Sequence, residues 1–140
     1  MTQDTGSYPV ILQTVLDTTA PRAPAEFYRE LFGLRYRPGD EAPDDGPDDV
    51  DWLVLVDASG SRRLAFQLVD RLEPTTWPAP DVPMQLHLDC TVTDVAELER
   101  HRERAESLGA TLLLDRTGDP DEPLYVLADP SGHPFCLFVR

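Results

Sequence analysis

The chain states one plan twice. Gln13-Thr-Val-Leu-Asp-Thr-Thr-Ala20 reads as a strand leading through Phe27-Tyr28 to Leu31-Phe32-Gly33, and a strand carrying Gln67 closes the half. His87-Leu-Asp-Cys-Thr-Val-Thr-Asp94 opens the second half in the same way. Its helix runs to Leu108-Gly109, and Asp129-Pro-Ser-Gly-His-Pro-Phe-Cys136 leads into the last strand. The offset is 74 residues from Gln13 to His87, 76 from Gly33 to Gly109 and 69 from Gln67 to Cys136. Repetition at this spacing means two copies of one supersecondary unit, neither able to bury its apolar face alone. Packed together, the copies create a groove lined from both halves, the usual seat of a small molecule.

A length of 140 residues suits one domain over 8–140, with a first module at about 8–70, a linker at 71–83 and a second module at about 84–140. The net charge of −14 argues against nucleic acid, whose phosphates need clustered cations. Acidity of this size mildly favours a cationic ligand but names none. No apolar run approaches a membrane span, and Met1-Thr-Gln-Asp-Thr-Gly-Ser7 is polar, so a cytoplasmic protein is expected.

Residues 10–16 read as a buried strand, and Ala20-Pro21 opens a helix with Phe27, Leu31 and Phe32 on its apolar side and Gly33 past its end. Residues 34–38 suggest a short strand. Asp40–Asp51 holds seven acids without the alternating order of a calcium loop, which predicts a solvated, mobile loop. Residues 52–56 and 63–69 form a hairpin around Asp57-Ala-Ser-Gly60. The proline-rich stretch 71–83 links the halves. A strand over 84–92 follows, then a helix capped by Asp94 with Glu97 completing a capping box. That helix presents Val95, Leu98, Ala105 and Leu108 inward. Residues 112–114, 125–127 and 135–139 supply the last strands. Each half is strand-helix-strand-strand-strand, and the fold class is α+β.

Strand alternation assigns the groove lining. Ile11, Gln13 and Val15 face it from the first strand, with Ala65, Gln67 and Val69 opposite. Gln85, His87, Asp89, Cys136 and Phe138 complete it from the second half. Leu12, Leu16, Phe66, Leu68, Leu86, Leu88, Leu137 and Val139 then face the helices. Cys90 and Cys136 fall on opposite sides of their sheet, so no disulfide is expected. Trp52 and Trp77 either stack on a ligand or cover core edges. His133 sits in a turn and His101 on a charged helix face, and neither is assigned a role in the site.

The Phe27-Tyr28…Leu31-Phe32-Gly33 run, the His87…Asp94 spacing and Asp129-Pro-x-Gly-His-Pro-Phe-Cys136 resemble the vicinal oxygen chelate superfamily, over nearly all of residues 10–139. That superfamily includes glyoxalase I, bleomycin-resistance proteins and extradiol dioxygenases. The resemblance implies two βαβββ modules in tandem around an open, barrel-like groove, and a homodimer. It places the metal-ligand positions at Gln13, Gln67, His87 and Cys136, for zinc or a similar divalent ion. Metal-dependent relatives use His, Glu or Gln on the opening strands and Glu on the closing ones. Here Gln67 and Cys136 replace those closing carboxylates, so the superfamily's usual proton-transfer base is missing. His87 and Asp89, two apart on one face, are the candidate catalytic pair, with Asp89 either a base or a partner orienting the ring. The alternative is a satisfied polar pair, with Gln13 and Gln67 hydrogen-bonding each other or water. Three functions remain open at this point: a metal-assisted lyase or isomerase, a protein sequestering a small molecule without turnover, and a non-catalytic regulatory module.

Overall fold

The computed structural model describes residues 6–140; Met1–Thr5, part of the polar opening stretch, lie outside the described residues. The first module contains β1 (Thr14–Thr18), α1 (Arg22–Phe32), β2 (Arg35–Tyr36), β3 (Trp52–Val56) and β4 (Arg62–Leu68). The second contains β5 (Leu88–Val92), α2 (Val95–Ser107), β6 (Thr111–Asp115), β7 (Leu124–Ala128) and β8 (Pro134–Val139). The sheets are ordered β1-β4-β3-β2 and β5-β8-β7-β6. In each, the opening strand runs parallel to the closing strand and all other pairs are antiparallel. The duplication in the sequence is thus a duplication of topology, and the fold is α+β with open sheets.

One core joins the modules. Leu16, Leu53, Leu55, Leu64 and Phe66 from the first sheet meet Tyr125, Leu127, Phe135 and Leu137 from the second, with Phe27, Tyr28 and Leu31 of α1 and Leu98 and Ala105 of α2. Phe27 touches Tyr28 edge-on with ring centres 5.0 Å apart and Phe135 at 5.7 Å, while Tyr28 stacks on Phe66 at 5.9 Å. The first module's helix therefore packs on both sheets. On its opposite face each sheet carries a smaller apolar cluster. Val54, Val56 and Ala65 lie with Trp52 on the first sheet. Leu124, Val126 and Cys136 lie on the second with Phe138 and with Trp77, contributed by the linker. Each tryptophan covers one of these clusters. β3 and β7 are buried on both faces, which explains their unbroken apolar sequences.

Local signals in the sequence hold at most element ends. Gly33 takes the left-handed conformation at φ 66 and its N–H donates to the Arg29 carbonyl, closing α1 as a glycine can without strain. Pro24 stays in the first turn, where its missing donor is not needed. Asp94 accepts from the Glu97 N–H at 2.8 Å. The capping box is only half made, because the Glu97 carboxylate turns to Arg100 and His101 instead. Burial of α2 begins at Leu98; Val95, expected inward, is 54% exposed. Phe32 at the end of α1 and Leu12, Leu68 and Leu86 are likewise exposed rather than packed on the helices.

Two expected strands start late for one reason: the partner strand runs out. β1 begins at Thr14, paired with Leu64, because β4 before that point bends through a bulge into the Asp57–Gly60 turn. β5 begins at Leu88, paired with Phe135, because Pro134 has no N–H to extend the ladder. The acidic loop is exposed to solvent, as expected, and is tied to the module at Asp40 and Asp48. Arg22 grips Asp48 through two hydrogen bonds of 2.7 and 3.0 Å and donates to the Asp40 carbonyl, and Asp40 accepts from the Val54 N–H.

Polar ties fix the modules to each other. Tyr28 Oη donates to buried Asp129 at 2.8 Å, Thr18 and Ser131 share a hydrogen bond of 2.8 Å, and His133 Nε2 lies 2.7 Å from the Asp17 carbonyl. Arg104 of α2 donates to the Glu30 and Leu31 carbonyls at the C-terminal end of α1.

Candidate metal centre

The parallel register of β5 and β8 places Asp89 beside Cys136. Cross-strand neighbours project to one face, and His87, two residues back, shares that face. The His87 Nε2 to Asp89 Oδ1 distance is 3.0 Å. One ligand-type atom from each of His87, Asp89 and Cys136 lies within 4.8 Å of the other two. Cys136 is buried, whereas the His87 and Asp89 side chains are 39% and 63% exposed. The cluster thus has a buried sulfur floor and an open side.

These residues suit a borderline divalent cation. Imidazole nitrogen, thiol sulfur and carboxylate oxygen are the donor types of zinc sites, and three protein ligands leave one position free. Ligand atoms around tetrahedral zinc are about 3.5 Å apart, so modest side-chain rotation would complete the shell. Burial, and after it the Asp89 charge, pushes the Cys136 thiol up to about 11. The sulfur therefore stays protonated at neutral pH unless a cation displaces the proton. Cys90 points the other way, into the core, and burial pushes it up to about 12. Both thiols are free, as strand alternation requires.

Two cavities adjoin the residues expected to line the groove. One, of about 480 Å³, is lined by Asp89 with Leu88 and Cys90, and by Thr14, Phe32 and Arg63 among residues of the first module. Another, of about 440 Å³, holds Val15, Gln67 and Gln85 together with Asp17, Glu73 and His133. The linker forms one wall of it, where Pro74 approaches Gly132 at φ 94; a Cβ there would stand 3.0 Å from Pro74. Gln67 is exposed, with Asp17 of β1 and Trp52 of β3 as its register neighbours. Gln13 lies just before β1, and its Oε1 is buried without a hydrogen-bond partner among the described residues. Val69 is half-buried and its N–H donates to the Thr18 carbonyl. Phe138 packs beside Cys136, while Ile11 is 92% exposed. Trp77 covers the cluster containing Cys136, one of the two roles its sequence position allowed, whereas Arg63 in the Asp89 cavity carries no sequence signal, since it reaches that cavity only through tertiary packing.

The glyoxalase-like domain family model matches residues 13–138. The chain belongs to that family. The fold is shared with a glyoxalase/bleomycin resistance protein/dioxygenase family enzyme from Burkholderia phytofirmans PsJN, at TM-score 0.66 and 17% identity over 91% of this chain and 96% of that one. A possible glyoxalase from Bacillus cereus superposes at TM-score 0.62 and 15% identity, over 91% and 96% of the two chains. The fosfomycin resistance protein FosX from Listeria monocytogenes, complexed with Mn(II) and sulfate, superposes at 0.64 and 15%, over 96% and 94%. A search of curated proteins returned no match.

Proposed function

We propose that this glyoxalase-like protein binds a small oxygenated molecule at a divalent cation held by His87, Asp89 and Cys136, with zinc the best suited ion. The convergence of the three donor atoms within 4.8 Å carries the reading. A relative of the same fold holds Mn(II), which makes a divalent ion a reasonable occupant. A bound ion of this kind supplies Lewis-acid polarisation of a substrate oxygen. Asp89 is the one member of the cluster that also lines the cavity of about 480 Å³, which is the candidate space for the organic part of the ligand. Asp89, the only carboxylate of the cluster, is the group able to accept a proton from a molecule seated there, and His87 at 3.0 Å orients it. Of the two glutamines, Gln13, whose Oε1 is buried and unpartnered, is the neutral oxygen donor closest in kind to a further ligand, and Gln67 faces the cavity it shares with Val15 and Gln85.

Binding without turnover is the second reading, and Gln67 favours it, since an amide stands where metal-dependent relatives place the basic carboxylate. A regulatory module without catalysis is its variant.

Metal analysis of protein purified without an affinity tag or chelator tests the reading. The wild type should carry close to one zinc-class ion per chain, and His87→Ala should bind it at least about tenfold more weakly while remaining folded. Failure of the wild type to take up zinc, nickel, manganese or iron would discard the chelate.

A homodimer belongs to the same proposal. Val10, Ile11 and Leu12 are 87%, 92% and 60% exposed, and Val15 and Leu86 add apolar surface. Such a patch marks an interaction surface. Sedimentation should give a dimer that Ile11→Arg shifts toward monomer; a wild-type monomer at high concentration would contradict it. No helix among the described residues is long and apolar enough to cross a membrane, and we place the protein in the cytoplasm.

A further inference from the structure

Four of the twelve arginines of this chain, whose net charge is −14, line a single cavity of about 790 Å³ on the first module: Arg29, Arg35, Arg37 and Arg62. Glu26 and Glu41 are the acids in its wall. Two of the cations are already neutralised. Arg29 pairs with Glu26 at 2.7 Å and Glu30 at 2.6 Å, and Arg37 pairs with Asp40 at 3.1 Å. Glu26 also accepts from Tyr36 Oη, while Glu41 accepts from the Gly39 N–H and is the one acid of the wall with no cation paired to it among the described residues. Arg35 and Arg62 are different. Among the described residues the Arg35 guanidinium meets only the Asp57 and Ala58 carbonyls, both through Nη2, which leaves Nε and Nη1 without partners. The Arg62 guanidinium makes no hydrogen bond or ion pair among the described residues.

The sheet brings these two cations together. Arg35 of β2 pairs with Val56 of β3, and Val56 pairs with Arg62 of β4. They flank one valine on alternate strands, about 10 Å apart at the backbone, and both side chains line the same cavity. Val56 is buried and continuous with Val54, Ala65 and Trp52, so the floor between the cations is apolar. Two guanidiniums with no carboxylate partner, against one unpaired acid in the wall, give the cavity a net positive charge that suits a dianion, and guanidinium N–H groups donate to phosphate and carboxylate oxygens alike. The cavity lies within the size range of small-ligand pockets.

We propose that Arg35 and Arg62 form a binding site for a small organic dianion, a phosphate monoester or a short dicarboxylate, separate from the His87–Asp89–Cys136 cluster. The site needs no metal and stands whether or not that cluster holds one.

Calorimetric titration of the whole chain with inorganic phosphate, succinate and acetate tests it. The wild type should bind one equivalent of phosphate or succinate, with the tighter of the two naming the ligand class, and acetate more weakly. The R35Q/R62Q variant should lose at least about tenfold in affinity. R71Q/R140Q, which removes two exposed arginines elsewhere, should bind as the wild type does. Amide chemical-shift changes on adding phosphate give a readout that needs no variant, and should concentrate at residues 35–37 and 56–62. No binding of either dianion by the wild type, unchanged affinity in R35Q/R62Q, an equal loss in R71Q/R140Q, or shifts centred on 87–89 and 136 would each overturn the site.

Discussion

Cys136 and Cys90 show how much one strand position decides. Their backbones lie on adjacent parallel strands, yet Cys136 faces His87 and Asp89 while Cys90 is packed in the shared core. Cys90→Ser should therefore cost about 1–3 kcal/mol of stability by burying a hydroxyl in apolar surroundings, and leave metal affinity unchanged. Cys136→Ser should weaken zinc binding, and its hydroxyl, within reach of the Asp89 carboxylate, should cost less stability than the one at position 90. Urea unfolding and competitive zinc titration of both variants separate the two roles, and a metal defect in Cys90→Ser would contradict the assignment. The His87, Asp89 and Cys136 grouping was legible in the sequence because period-two alternation and the repeat offset both select that face. The surroundings of Gln67 were not. Parallel register sets Gln67 beside Asp17, four residues beyond Gln13, and register between strands so distant in sequence is a tertiary property.

At the scale of elements, local chemistry was readable wherever it is local. Gly33, Asp94 and the Asp57–Gly60 turn act as sequence rules predict. Asp94→Ala should cost about 1 kcal/mol by releasing the Glu97 N–H. That loss should appear as faster amide hydrogen exchange over the first turn of α2, and unchanged exchange there would show that the cap contributes nothing. The starts of β1 and β5 could not be read, since the apolar residues before Thr14 have strand-like composition but no partner strand. Apolar character without pairing is also what exposes Val10 and Ile11. The cause lies in Pro134 and in the β4 bulge, features of the partner strands rather than of the segments themselves.

At the scale of the molecule, the modules are coupled through Tyr28 and Asp129 at the centre of the shared core. Burial holds the Asp129 carboxyl above its usual range, and the Tyr28 hydroxyl opposes that shift. A carboxyl raised by folding contributes stability below its unfolded pKa and loses it as pH rises through the folded value. Removing the tyrosine donor raises the folded value further. Tyr28→Phe should therefore cost about 1–3 kcal/mol at neutral pH and less near pH 4, where the carboxyl no longer needs the donor. Urea denaturation at the two pH values measures it; a penalty that grows on acidification would contradict the sign. The duplicated topology was plain from the repeat offset, whereas the joining of both modules through one helix was not, because nothing local marks Phe27 as the residue that meets Phe135.

Cobalt(II) titration in the near ultraviolet asks most directly whether the cluster is a metal centre. Wild-type protein should develop a thiolate-to-cobalt charge-transfer band that saturates at one ion per chain. The band should vanish in Cys136→Ser, weaken in His87→Ala and persist in Cys90→Ser. Absence of the band in wild-type protein, or its survival in Cys136→Ser, would contradict a centre built on His87, Asp89 and Cys136.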